Sequence, residues 1–562
     1  MSKRTFMQGA VILAAAGVII KAFGAVFKIP LVNMISDTGI GYYQTAYTIY
    51  VMFLVLSNSG IPVAISRMVS ERIAVDRPRD AHRVFRVSFI LLFAIGWASS
   101  TFCFFKTDFL LQFFPNMENS AYSVKAIAPA LFIVPLMAAY RGYFQGKQNM
   151  RPTATSQVSE QFFRVATGLS LAWYLLPKGE QFAAAGAAFG AAAGAAAGFV
   201  TVVAIYALGG GEKGALSAER AASEAGEPYT ALSHPDERAA RSADPAQTDE
   251  SVPGILLRML WIAVPITIGA AIMPIMNFID LVIITNRLSG LGWAADEVVK
   301  TYGQLSGFAN SLINLPQILT QAVAMSLVPA VAAAHKRKDV DFLRHNIQLG
   351  LRTSVVIGLP CAFGIMTLSE QIMLLFFPAV KEAAVSASSF LFILGFGIIF
   401  LSIIQTLTGV LQGVGRQMIP VRNLCFGAVA KVAVTWNLIA IPELGVKGAA
   451  IGTVTAYILA AVLNLAGVRR HTGARFDIWL TYIKPGAAAV VMSAVVFAVY
   501  TALHALTGMS ALPTVISVAI GAAVYAVFIF LSGAITEEEL LLLPKGRAAV
   551  RLLNALRGKK RR

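Results

Sequence analysis

Lys21, Lys28, Arg164 and Lys431 are basic side chains that fall inside long apolar stretches of this sequence. A charge at the centre of a membrane helix costs about 2.5–3.5 kcal/mol, so such residues face protein or water and mark functional sites. In a dry setting these cations offer charge-assisted hydrogen bonds to an anion, phosphate above all. Lys21 and Lys28 share one helical face with Gly17 and Gly24. Lys21 lies roughly 20 Å and Lys28 roughly 30 Å along that helix, at about 1.5 Å per residue. Lys21 is too deep to snorkel and is expected to line a cavity. Lys28 either joins it or reaches the far headgroups. Gln157, Glu160 and Arg164 share a face of a second helix. Glu160 and Arg164, one turn apart, can pair with each other, or Arg164 can face a cavity instead. Lys431 sits beside Gly427 and Thr435 with no acid within a turn, and an unpaired cation there invites an anion.

The acids and amides complete the candidate set. Asp280, with Asn277 one turn earlier, reads as the main unpaired acid within a span, and with Glu160 these are the candidates for ion coupling or gating. Asp280 lies as far along its helix as Lys28 does along its own, so a Lys28–Asp280 contact is expected. Ser306, Asn310, Asn314, Gln317 and Gln321 form a polar stripe, either glue between helices or the wall of a wet cavity. The substrate-binding candidates are therefore Lys21, Lys28, Glu160, Arg164, Asn310, Asn314, Gln317 and Lys431. No catalytic constellation, cofactor motif or metal spacing is found. Cys103, Cys361 and Cys425 fall in spans as small apolar residues. No P-loop appears, so direct ATP use is not expected.

The elements that must position these residues are apolar stretches, each near the roughly 20 residues that cross a bilayer. Fourteen are expected, near 7–32, 43–66, 84–105, 121–142, 153–176, 183–208, 255–285, 301–332, 347–369, 387–412, 419–441, 446–468, 480–504 and 511–533. The chain is 57% hydrophobic and 13% charged with a mean hydropathy of +0.69, which no water-soluble fold of this size would tolerate. The fold class is all-α polytopic membrane protein. An even number of spans leaves both termini on one side. Arg67 to Arg86, Arg141, Lys147, Arg151, Lys336 to Lys338, Arg344, Arg416, Arg422, Arg469, Arg470, Arg475 and the tail Lys559 to Arg562 all map to that side. Positive charge stays cytoplasmic, so both termini are expected there. The net charge of +17 is thus a topology signal and an attraction for anionic membrane lipids, not a nucleic-acid footprint. The first span resembles a secretory signal, but Lys21 interrupts the pattern and an uncleaved helix is expected. Prolines 30, 62, 135, 265, 274, 316, 329 and 360 fall in spans and predict kinks.

A repeat organises the spans. Val63-Ala64-Ile65-Ser66 recurs as Val323-Ala324-Met325-Ser326, and Gln44 matches Gln304, at an offset of 260. Gln145-Gly146 recurs as Gln412-Gly413, and Arg164 as Lys431, at an offset of 267. Two six-helix lobes in the same orientation follow, around a central cavity. The expected division is 1–208 (first lobe), 209–253 (a polar linker), 254–468 (second lobe), 469–533 (two further helices) and 534–562 (a basic tail).

Gly39-Ile-Gly-Tyr-Tyr-Gln-Thr-Ala-Tyr, Gly60-Ile-Pro-Val-Ala-Ile-Ser-Arg, Ser70-Glu71, Arg141-Gly-Tyr-Phe-Gln-Gly, and the stretch from Arg151-Pro-Thr-Ala-Thr-Ser to Arg164 resemble the stage V sporulation protein B branch of polysaccharide exporters. That branch includes the MurJ-like lipid II flippases of Gram-positive bacteria, within the multidrug/oligosaccharidyl-lipid/polysaccharide (MOP) exporter superfamily. The resemblance implies two six-helix lobes around a cationic cavity, with the last two helices forming a groove for a polyprenyl tail. It also implies that cations of the first helix contact a substrate diphosphate. Lys21 matches a position held by Arg in Gram-negative relatives. Those relatives carry an essential Arg in the eighth helix, where this chain has only Asn and Gln.

The leading expectation is a flippase for an undecaprenyl-pyrophosphate-linked saccharide, lipid II or a relative, in the bacterial cytoplasmic membrane. It is expected to act as a monomer, with membrane lipids and cell-wall synthesis proteins as its further partners. A drug/cation antiporter of the same superfamily needs carboxylates facing the cavity, where the first helix offers lysines. A membrane glycosyltransferase or polymerase needs acids or a metal site in the outer loops, which hold few acids: Asp37, Asp108, Glu118, Asp296 and Glu297.

Overall fold

The computed structural model of the chain describes residues 3–75, 77–208, 251–474 and 476–533, with side chains from residue 16 onward except that of residue 18. Most of the expected linker (209–250), Arg475 and the expected tail (534–562) lie outside the described residues. Among the described residues there are helices and no strands. Twelve helices are long and apolar enough to cross a membrane. The first of these joins two antiparallel crossings across a kink, and Arg151–Leu175, lowered in hydropathy by Glu160 and Arg164, is a further helix of crossing length. The count agrees with the fourteen expected spans.

We label them α1 (3–34), α2 (37–58, continued by Ile61–Ala74), α3 (Pro78–Phe105), α4 (Ala121–Gly146), α5 (Arg151–Leu175), α6 (Glu180–Leu208) and α7 (Val252–Gly290). There follow α8 (Ala295–Lys336), α9 (Val340–Thr367), α10 (Lys381–Gly413), α11 (Met418–Ile439), α12 (Lys447–Thr472), α13 (Trp479–Thr507) and α14 (Ala511–Leu531). We call the side where α1 begins the near face and the other the far face.

The first lobe's packing recurs in the second with every label raised by six. In the first lobe α3 packs on α4, α4 on α6, α5 on α6 and α1 on α5. In the second α9 packs on α10, α10 on α12, α11 on α12 and α7 on α11. The two remaining helices attach to the second lobe, α13 on α9 and α14 on α13. Large apolar side chains point outward from the bundle, including Trp173, Trp261 and Val429. Trp261 is 81% exposed, which suits hydrocarbon and not water.

Local departures from regular helix have identifiable causes. The second crossing was expected from residue 43 but starts at 37, because α1 reverses within two residues. Ile35 (φ −111°, ψ 15°) and Ser36 (φ 58°, ψ −175°) make the turn. Positive φ is costly for serine, and Ser36 Oγ donates to Glu180 Oε1 at 2.8 Å, tying the turn to the start of α6. Pro30, expected to kink α1, lies within regular helix five residues earlier. Pro62 follows a true break at Ser59–Gly60, where the Gly60 N–H donates to Thr267 Oγ1 of α7 at 3.1 Å. A Cβ on Gly60 would lie 2.0 Å from the Ala263 carbonyl oxygen, so α2 and α7 meet backbone to backbone.

Pro360 shows how such a break is repaired in a membrane. Proline leaves the carbonyl four residues earlier without its helical donor. Here that carbonyl belongs to Val356, and Tyr525 of α14 donates its hydroxyl to it at 2.9 Å. Tyr525→Phe should therefore orphan a buried acceptor at a cost of about 1–3 kcal/mol. The expected result is a lower unfolding temperature for the detergent-purified protein; an unchanged temperature would show that the carbonyl finds another donor.

Candidate functional site

Two cavities lie between the lobes. The larger, about 460 Å³, sits between α1, α2, α5 and α8, and its polar lining includes Lys21, Lys28, Arg164, Asn314 and Gln317. The smaller, about 240 Å³, lies toward the second lobe and holds Asn277, Asp280, Asn310 and Lys431. Lys28, Tyr47, Ser311, Asn314 and Gln317 line both.

The three cations of the larger cavity meet only neutral acceptors. Lys21 Nζ donates to Gln321 Oε1 of α8 at 2.5 Å, across the lobes. Lys28 Nζ donates to Gln44 Oε1 at 2.8 Å and lies 5.8 Å from the Tyr43 ring centre. Arg164 Nη2 donates to Tyr43 Oη at 3.3 Å, with its guanidinium 5.2 Å from the Tyr47 ring and 5.7 Å from that of Phe27. Among the described residues no carboxylate lies within ion-pairing distance of these three. Amide and phenol dipoles offset part of the desolvation cost and leave the charge uncancelled. Asp37 and Glu180, which hold the far-face turn, bond to Gln304 and Ser36 instead.

Several expectations need correction. Glu160 does not pair with Arg164. Its Oε2 takes Arg141 Nη2 of α4 at 2.8 Å, and it lines neither cavity. The face also presents Gln161, not Gln157, to the larger cavity. Lys431 is not unpaired: its Nζ lies 2.5 Å from Asp280 Oδ2. Nor does Lys28 contact Asp280, since each has taken another partner. Asp280 Oδ1 is buried without a hydrogen-bond partner, so the carboxylate is only half satisfied. The α8 stripe plays both of its suggested roles. Ser306, Asn310, Asn314 and Gln317 line cavity, while Gln317 accepts from Gln405 Nε2 at 3.4 Å.

Glycine lets the cation-bearing helices approach their supports. On α6, Gly186, Gly190, Gly194 and Gly198 recur every fourth residue and face α5. A Cβ on Gly190 would lie 2.7 Å from the Arg164 carbonyl oxygen, and one on Gly194 2.5 Å from that of Glu160. In the second lobe a Cβ on Gly452 of α12 would meet Thr435 Oγ1 at 2.1 Å and the Lys431 carbonyl at 3.2 Å. Small residues at this spacing permit such contact in membranes.

Sequence reading missed the tyrosines that hold Arg164. Tyr43 and Tyr47 stack at 5.8 Å, and Tyr50 continues the row with its ring centre 5.9 Å from that of Tyr47. Their spacing of 4 and 3 on α2 was the available signal.

The polysaccharide biosynthesis protein family matches residues 6–230, and the MatE family matches residues 265–437. Over 551 residues the chain is 28% identical to the membrane protein YabM of Bacillus subtilis (strain 168), covering 96% of this chain and 95% of the relative. It is 25% identical to stage V sporulation protein B of the same organism over 471 residues (84% and 85% covered) and 23% identical to its lipid II flippase MurJ over 538 residues (92% and 94%). Among solved structures, lipid II flippase MurJ in an inward closed conformation superposes with a TM-score of 0.65 at 14% identity (93% and 98% covered). An inward-facing multidrug resistance MATE family transporter of the MOP superfamily gives 0.65 at 16% (83% and 98%). These two likenesses show the fold.

The Asp280–Lys431 pair yields a direct test, because Lys431 is only 5% exposed and Asp280 18%. Removing one partner of a buried pair typically costs about 3–5 kcal/mol, while replacing both with neutral groups is often tolerated. Asp280→Asn and Lys431→Met are each expected to lower the unfolding temperature, and the double variant to regain most of the loss. Additive losses would mean that the pair is not an energetic unit.

Proposed function

We propose that the chain is a membrane transporter of the MOP exporter superfamily and, within it, a flippase for an undecaprenyl-pyrophosphate-linked saccharide, lipid II or a close relative. The observation that carries this reading is the larger cavity, where Lys21, Lys28 and Arg164 keep their charge against neutral partners only. A diphosphate head cannot cross hydrocarbon unaided, and three cations offer it charge-assisted hydrogen bonds. Two of them are lysines, point-charge donors less demanding in geometry than arginine, which suits a ligand that must be released on the far side. The saccharide would extend along the amide-rich α8 wall while the polyprenyl tail stays in lipid along α13 and α14.

In this reading the near face is cytoplasmic, as the distribution of Lys and Arg requires, and the lobes rock to open the cavity to each face in turn. Asp280, Asn277 and Lys431 lie in the adjoining cavity, where ion coupling or gating would act. The relative named lipid II flippase MurJ supports the substrate class. A drug/cation antiporter is the second reading, favoured by one observation, the half-satisfied carboxylate of Asp280, a residue that lines a polar cavity. Lys431 opposes it by already occupying the carboxylate.

The test is outer-leaflet exposure of lipid II in cells that rely on this protein alone. Wild type should expose it, and Lys21→Ala, Lys28→Ala and Arg164→Ala should each reduce exposure on the order of tenfold or more while inserting stably, the loss of one hydrogen bond to a charged group. No exposure with a well-expressed wild type would remove lipid II as substrate. Sodium- or proton-dependent drug efflux abolished by Asp280→Asn would replace this reading with the antiporter.

A further inference from the structure

Glu160 and Arg164 lie one turn apart on α5, a spacing that places them on one face and favours pairing. They do not pair, and the reason lies on another helix. Arg141 of α4, counted from sequence as a loop charge, lies within the helix with its side chain only 13% exposed. It binds Glu160 Oε2 at 2.8 Å, and its Nε and Nη2 donate to Ser156 Oγ at 3.2 and 2.8 Å. Ser156, one turn before Glu160, in turn donates to the Gly198 carbonyl of α6 at 2.8 Å. The carboxylate is thereby anchored toward α4 and α6. Arg164 turns the opposite way, to Tyr43, Tyr47 and Phe27, and into the larger cavity.

We infer that Arg141 is a positioning residue that sequesters Glu160 and so keeps Arg164 available as a cation for the anionic ligand. The inference rests on the flippase reading for its ligand, though not for its mechanics. With Arg141 neutralised, Glu160 loses its partner inside the bundle, where an uncompensated carboxylate is costly. The nearest remedy is Arg164, one turn away, and pairing with it would cancel one of the three cavity charges. Arg141 touches neither cavity, so its effect on binding runs through Glu160.

The experiment uses the full-length protein in detergent, with farnesyl diphosphate as the soluble probe, and compares wild type, Arg141→Gln and Arg141→Gln/Glu160→Gln. Arg141→Gln is expected to weaken probe binding by at least about tenfold, the loss of one hydrogen bond to a charged group. The double variant should restore binding, because no carboxylate remains to capture Arg164. Unchanged binding by Arg141→Gln, or a folded double variant that does not recover, would overturn the inference. A second readout needs no ligand: the thermal coupling between Glu160→Gln and Arg164→Gln, measured with Arg141 present and with Arg141→Gln. The coupling should be negligible in the first background and stabilising in the second; its absence in both would also overturn the inference. If wild type does not bind the probe while this coupling emerges as expected, the substrate class fails and the role of Arg141 stands.

Discussion

The burial of charge is the constraint on which this structure turns. Each ionised group inside the bundle needs an opposite charge, a set of dipoles or a wet space, and the fold distributes its few acids among its cations accordingly. Glu160 goes to Arg141 and Asp280 goes to Lys431. Lys21, Lys28 and Arg164 gather around one cavity with amide and phenol oxygens for company. A cavity of that character prefers an anion, and it exists only because both nearby acids are committed elsewhere.

The helix packing serves the same end. Arg164 and Lys431 occupy matching helices of two lobes whose backbones repeat, and each helix lies against a glycine-lined neighbour. Yet the lobes differ in electrostatics: the first offers uncancelled cations to its cavity, while the second presents an ion pair. The two lobes share a helix scaffold, and the side chains placed on it leave uncancelled cations in one half and an ion pair in the other.

Polar contacts cross between the lobes at both faces. At the far face Asn33 donates to the Phe376 carbonyl at 2.8 Å and accepts from the Ala379 N–H at 3.1 Å, while Gln304 joins Asp37 and Ser386, each at 2.9 Å. At the near face Gly60 meets Thr267, and Glu71 meets Arg258 at 2.7 Å. Individual hydrogen bonds of this kind contribute about 0.5–1.5 kcal/mol net, and the exposed Glu71–Arg258 pair about 0–1. The largest buried apolar cluster runs through both lobes, with Leu31, Ile40 and Ile127 of the first and Leu281, Val299 and Phe308 of the second.

The sequence alone determined the all-helical membrane class and which basic residues fall within its spans, because hydrophobic length and helical period are local properties of the chain. Lys21, Lys28 and Arg164 were legible as charges within spans, and the α8 amides as a stripe, from spacing alone. Only the tertiary structure decided which charge meets which. Glu160 could have paired with Arg164, one turn away in sequence, and binds Arg141 nineteen residues away on another helix. Lys431 read as unpaired because its acid lies 151 residues earlier, on α7. The tyrosines around Arg164 and the turn at Ser36 were likewise set by neighbours distant in sequence. Ionic partnership depends on distances of a few ångströms between helices, and those distances are fixed by packing, which no local pattern encodes.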